Sequence, residues 1–265
     1  MPTLLSPHCV EEAAQLLALA RLDNRIIDEI PSDLRPSCLA DAYAIQDSLA
    51  KILGWEINGW FCACTNPVIQ SVLKLNEPYC ARLFKKSVVA QPATLDAKKY
   101  PPIVLECEFG FQLGSNLPVR ATPYSRVEVE TAIAKIHPTI EVVIGHLRNW
   151  PEQDVWSVIA DNGTDGQLVY GSGVSEWRNL DLVNMQVSLS VNGRTVRSGV
   201  GQRVLGDPLD AFVWLVNAVR LRGYGLRAGH VYNTGTATDI MWLQPGEQAV
   251  ATFHGLGLVA FTLSG

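Results

Sequence analysis

The chain has 265 residues, 48% of them hydrophobic and 18% charged, with a formal net charge of −5. That length can bury a substantial core, and the modest charge leaves room for subunit interfaces. Lys85-Lys86 and Lys98-Lys99 are isolated pairs rather than a basic surface, which argues against nucleic acid, and no apolar run of about twenty residues is present to cross a bilayer.

The first predicted elements are helical. The opening residues lack a basic segment followed by an apolar core, so no signal peptide is expected. Residues 10–21 then place strong helix formers at amphipathic spacing, and a second helix is predicted over 37–53, with Gly54 positioned to stop it. From Trp55 onward, short β-like runs alternate with Gly, Pro and Asn. The expectation is a helical region over 1–54 and a β-rich domain over 55–265, built as one structural unit. Six cysteines lie in the first half and are too sparse for a disulfide scaffold, so they read as reduced thiols of a cytoplasmic protein. Cys62 and Cys64 read as packing residues on one strand face, since no second pair has zinc spacing.

The next predicted strand, residues 103–111, carries Glu106 and Glu108 among apolar neighbours. Residues i and i+2 of a strand share a face, so the two carboxylates point the same way, while Cys107 points to the core. Adjacent buried carboxylates repel and are costly to desolvate unless a cation or shared proton compensates. Glu141, in the apolar run 139–144, is a third. Three carboxylates without matching basic residues suggest a hard divalent ion, Mg²⁺ or Mn²⁺. His137, just before Pro138, is expected at the entry to that second strand.

Further on, residues 185–197 read as a hairpin about Asn192-Gly193, a pair suited to a type I′ turn. Helix returns over 207–222, where Asp207 can cap and Pro208 fits the first turn. Three β segments close the chain, at 230–232, 248–253 and 256–263. His254, near the Gly-rich end, reads as a capping residue.

The order of these pieces resembles the fumarylacetoacetate hydrolase superfamily. Within it, the similarity is to the branch of 2-hydroxypentadienoate (2-keto-4-pentenoate) hydratases and 4-oxalocrotonate decarboxylases. It rests on Glu106-x-Glu108 followed by Phe111-Gln112-Leu113-Gly114, on Pro138-Thr139-Ile140-Glu141 with Arg148-Asn149-Trp150 behind it, and on Ala160-Asp161-Asn162-Gly163. Further on, Gly206-Asp207-Pro208, Trp214 to Asn217, Gly225 to Val231, Thr234-Gly235-Thr236 and Gly255-Leu256-Gly257 complete it. The resemblance implies an α+β fold, a mixed rolled β-sandwich with an N-terminal helical region, and a homo-oligomer. It also implies that Glu106, Glu108 and Glu141 hold one Mg²⁺ or Mn²⁺ that chelates a small keto or enol acid and stabilises an enolate. Thr234, Gly235 and Thr236 match a turn near the substrate carboxylate. Gln70, Arg82 and Asp161 match segments bordering the substrate pocket, with a turn former as the other reading of Asp161.

One position departs from the family pattern. Phe61 stands where the family carries an active-site lysine in Gly-Trp/Tyr-Lys, and an aromatic ring cannot carry a proton or pair with an anion. Tyr79 and His146 are the candidate proton carriers in its place, Tyr79 because it could donate a proton and His146 because it follows the metal strand closely. The expected activity is a metal-dependent lyase of the hydratase or decarboxylase type acting on a 2-oxo or 2-hydroxydienoic acid. The alternatives are the same metal site turned to dehydration, tautomerisation or cyclisation of a bulkier biosynthetic substrate, or a non-catalytic paralogue in an assembly.

Overall fold

The computed structural model describes residues 4–265, apart from the side chains of Val68 and Val72. Helix α1 (Pro7–Leu22) starts where Ser6 accepts the amide of Cys9 with Pro7 in the first turn, and it buries Ala13, Ala14, Leu17 and Ala18. Helix α2 (Leu39–Leu53) ends at Gly54 and turns Ala42, Ile45 and Leu49 inward. The two helices share one apolar cluster with Tyr79, Phe84, Leu147, Val155 and Ile159 of the β-rich part.

The chain then runs through β1 (Ile57–Ala63), α3 (Pro67–Leu73), β2 (Tyr79–Phe84), β3 (Val88–Ala90) and β4 (Ala93–Asp96). Next come β5 (Ile103–Leu113), α4 (Arg126–Ala132), β6 (Ile133–Val143), α5 (Val155–Ala160) and β7 (Gln167–Tyr170). The hairpin β8 (Gln186–Val191) and β9 (Arg194–Val200) precedes α6 (Pro208–Leu221). Four strands finish the chain: β10 (Val231–Thr236), β11 (Met241–Leu243), β12 (Gln248–Phe253) and β13 (Gly257–Ser264).

These strands make two mixed sheets. One runs β2-β1-β10-β5-β6-β7-β3, with β11 also on β5, and the other runs β4-β13-β12-β8-β9. The second sheet lies across β5, β6 and β7 of the first. Between them Phe109 of β5 meets Phe253 of β12 edge-on at 5.1 Å, and on the same face of β5 Phe111 stacks on Phe212 of α6 at 4.6 Å. Strand alternation therefore sends Leu105, Cys107, Phe109 and Phe111 into the core and turns Glu106 and Glu108 to the opposite face. This is the α+β, rolled two-sheet architecture expected.

Local signals translate directly. Asn192 and Gly193 both have positive φ, 49° and 78°, as a type I′ turn requires. Asp207 accepts the amide of Leu209 at 2.9 Å to cap α6. His137 is a correction. It lies inside β6 rather than at its entry, because Pro138, opposite Phe109, is accommodated within the strand and its carbonyl accepts the amide of Gly171 at 2.8 Å. The buried imidazole Nδ1 of His137 is 2.8 Å from the Gly171 carbonyl, a contact made within the sheet. All six cysteines are free. No helix among the described residues is long and apolar enough to cross a membrane.

Candidate metal centre

Antiparallel pairing of β5 and β6 puts Glu106 directly opposite Glu141 and Glu108 opposite Thr139. Glu106 and Glu108 share one face of β5, so three carboxylates converge, each offering an oxygen within 4.8 Å of the others. Glu108 is 1% exposed and Glu141 3%, while Glu106 is half-buried.

The donors that reach this cluster are neutral. Asn233 Nδ2 donates to Glu108 Oε2 at 2.6 Å and to Glu141 Oε2 at 2.8 Å, and the amide of Gly235 donates to Glu108 Oε2 at 2.9 Å. Burial pushes the carboxyls of all three glutamates up. Repulsion by Glu141 and Glu106 raises Glu108 further, and repulsion by Glu106 raises Glu141, while the Asn233 and Gly235 donors pull the other way. Neutral donors alone leave the cluster short of positive charge. An all-oxygen set of three carboxylates fits a hard divalent cation such as Mg²⁺ or Mn²⁺.

A pocket of about 520 Å³ opens over Glu106 and Glu141. Beside the glutamates it is lined by Gly235, Thr236, Thr65 and Thr238, and farther out by apolar side chains. Gly235 sits at φ +88°, and a β-carbon there would collide with Thr65, so only glycine brings this amide to Glu108. Phe61 and Tyr79 form another wall, pressed so closely on Gly163 that a β-carbon at 163 would lie 2.9 Å from Tyr79 and 3.1 Å from Phe61. Asn162, Gly163 and Thr164 all have positive φ. Asn162 holds this unusual loop in place by accepting the amide of Arg82 at 3.1 Å and donating to its carbonyl at 2.9 Å.

The expected site residues fall into two groups. Phe61, Tyr79, Glu106, Glu141, Gly235 and Thr236 line the pocket, and Glu108 lies just behind it. The others sit elsewhere. Thr234 Oγ1 is buried and donates to the Phe109 carbonyl at 3.2 Å. Gln70 donates to the Cys64 carbonyl at 2.7 Å, closing the turn after β1. Arg82 alternates away from Tyr79 and Ala81, so its guanidinium lies over Trp60 and bonds Gln46, Asp47 and Tyr224. Asp161 pairs with Arg21 at 2.9 Å, and His146 Nδ1 is 3.4 Å from Asp161 Oδ2, in a buried charge cluster completed by Asp165. Asn233 and Thr65 carry no signal in the sequence that marks them for the site. The placement of Asn233 follows from β10 lying between β1 and β5, where it is the register partner of both Phe61 and Gly110.

The family model for the fumarylacetoacetate (FAA) hydrolase C-terminal region matches residues 71–264. The 2-keto-4-pentenoate hydratase of Paraburkholderia xenovorans is 31% identical over 258 residues, 96% of this chain and 95% of its own. The 4-oxalocrotonate decarboxylase of Pseudomonas putida is 27% identical over 263 residues, 98% of each. The solved structure of the 4-oxalocrotonate decarboxylase from Pseudomonas putida G7, complexed with magnesium and adipate, superposes with a TM-score of 0.89 at 26% identity. It covers 99% of this chain and 100% of that one.

Proposed function

The chain belongs to the fumarylacetoacetate hydrolase family, and on that premise we propose that it is a divalent-metal-dependent lyase of the hydratase or decarboxylase type. Its substrate is a 2-oxo or 2-hydroxydienoic acid. The observation that carries this reading is the convergence of Glu106, Glu108 and Glu141 beside a pocket, where Asn233 and Gly235, the donors among the described residues, are neutral.

Glu106, Glu108 and Glu141 would hold the ion, which when bound supplies Lewis-acid polarisation of the α-oxygen of the acid. Asn233 and Gly235 fix the orientation of Glu108, and Asn233 also fixes Glu141. Thr65 lines the pocket beside the carboxylates, where its hydroxyl can hydrogen-bond an acidic head group, while Thr236 Oγ1 donates to the Thr238 carbonyl at 3.0 Å and shapes the turn. Tyr79 is the proton carrier in this reading. Burial pushes its phenol well above the ordinary tyrosine range, with Cys64, Glu106 and Glu141 adding to the rise in the metal-free site, so the group faces the pocket as a neutral hydroxyl donor.

The test combines metal titration with turnover. Wild-type protein is expected to bind one Mn²⁺ per chain and to turn over 2-hydroxypentadienoate or a longer 2-oxo acid, with activity lost to a chelator. Glu106→Ala and Glu141→Ala should each abolish metal binding and turnover together. Tyr79→Phe should keep the metal and lower kcat about 100-fold or more. Chelator-insensitive turnover, or a wild-type chain that binds no divalent ion, overturns the reading.

A further inference from the structure

Resting on that reading of the metal centre, we propose that the pocket selects a 2-oxo monocarboxylate with an extended apolar tail, and rejects acids that carry a second carboxylate at the far end.

The direction of the tail follows from strand geometry. Val143 is two residues beyond Glu141 on the same face of β6, so it continues the pocket floor roughly 7 Å away from the carboxylates. Past it the ring of Trp150 covers the backbone of Gly145. Val155 and Val158 of α5 and Leu73 of α3 complete an apolar channel leading away from the acids. Ile69 and Ile240 also line the cavity and are 46% and 37% exposed, large aliphatic side chains left facing water beside it. Exposed aliphatic groups bordering a cavity are where an apolar ligand group gains most.

Charge decides the far end. Arg203 is the one cation among the described lining residues, and it is ion-paired with Asp239, which also lines the pocket. Strand register sets Asp239, between Thr236 opposite Glu108 and Met241 opposite Leu105, at the acid end, so a distal carboxylate in the channel walled by Val143, Val155 and Val158 would find no cation among the described lining residues there. Desolvating an anion without a free partner is costly, whereas each methylene placed there leaves water favourably. Phe61 acts in the same sense at the inner end, filling its wall with a ring beside Tyr79 and Gly163.

Calorimetric titration of the Mn²⁺-loaded full chain with pyruvate, 2-oxohexanoate, 2-oxooctanoate and 2-oxoadipate tests this. Affinity should rise roughly 3-fold per added methylene along the monocarboxylates. 2-Oxoadipate should bind about 10-fold or more weakly than 2-oxohexanoate, its equal in carbon number. Val158→Asn and Leu73→Asn should each shrink the ratio between 2-oxooctanoate and pyruvate. Equal affinity for pyruvate and 2-oxooctanoate, tighter binding of 2-oxoadipate, or an unchanged ratio in both variants overturns the proposal. Pyruvate separates the two levels. If it binds only with Mn²⁺ while the tail adds nothing, the tail inference alone falls. If no 2-oxo acid binds in a metal-dependent way, the metal-site reading falls and takes the inference with it.

Discussion

At the scale of single residues, the site divides into what a charge reveals and what a contact reveals. Glu106, Glu108 and Glu141 were legible because a carboxylate in an apolar strand has few stable explanations. Asn233 was not, because a carboxamide in a strand carries no such contradiction, and its role exists only once β10 is placed between β1 and β5. Its Nδ2 spans two of the three acids while its Oδ1 is buried without a partner. Asn233→Leu keeps the volume and removes the donor, and should weaken Mn²⁺ binding about 10- to 100-fold in an electron paramagnetic resonance titration. An unchanged affinity would reduce Asn233 to a packing residue. Phe61 faces the same strand, as the register partner of Asn233. Phe61→Lys would bring an ammonium toward these carboxylates, and hydration of 2-hydroxypentadienoate should rise about 10-fold or more. Wild-type protein that already hydrates it efficiently would remove any need for the lysine.

At the scale of elements, the helices, the Asn192-Gly193 hairpin and the terminal strands were readable because their signals are local. The partners of buried charges were not. Arg82, Asp161 and His146 read as site residues, yet each is turned to a charged or polar partner on another element, and nothing in sequence spacing names that partner. Arg21 shows the consequence. It leaves α1 to meet Asp161 at 2.9 Å and Asp165 at 2.6 Å, just after α5 and beside the loop that carries Gly163 and Thr164 into the pocket wall. Burial opposes ionisation of Asp161, but Arg21 and His146 outweigh it and hold its carboxyl below the usual range; for Asp165 burial wins and its carboxyl sits above it. Arg21→Leu would take from both acids the buried cation they share, at a cost on the order of 3–5 kcal/mol in urea unfolding. The sign with pH is fixed. Removing Arg21 raises both folded-state pKa values, so the penalty is full at neutral pH and shrinks as pH falls through the raised values. A gap between variant and wild type that widens on acidification would show that charge stranding is not the cause.

At the scale of the whole molecule, the two sheets bury their aromatic faces against each other and leave the opposite face of β5 and β6 to carry three acids that the fold does not itself neutralise. Those acids were visible in the sequence, while the helices and loop that wall the pocket over them depend on long-range packing. The arrangement opposes stability and function in one measurable way. Without metal, like charges and burial make the Glu106–Glu108–Glu141 cluster a destabilising feature of the native state. Glu141→Gln keeps an oxygen that can accept from Asn233 and removes one charge, so in chelator the variant should be more stable than wild type by on the order of 1 kcal/mol, or roughly 2–4 °C at this chain size. Adding Mn²⁺ at about 100 times its dissociation constant should stabilise wild type by about 2.7 kcal/mol and the variant far less, so the order of melting inverts. Glu141→Gln melting below wild type in both conditions would mean that the folded chain already neutralises these acids, and a cation would have no deficit to fill. Inversion on adding metal is the outcome that a merely structural cluster of carboxylates cannot produce.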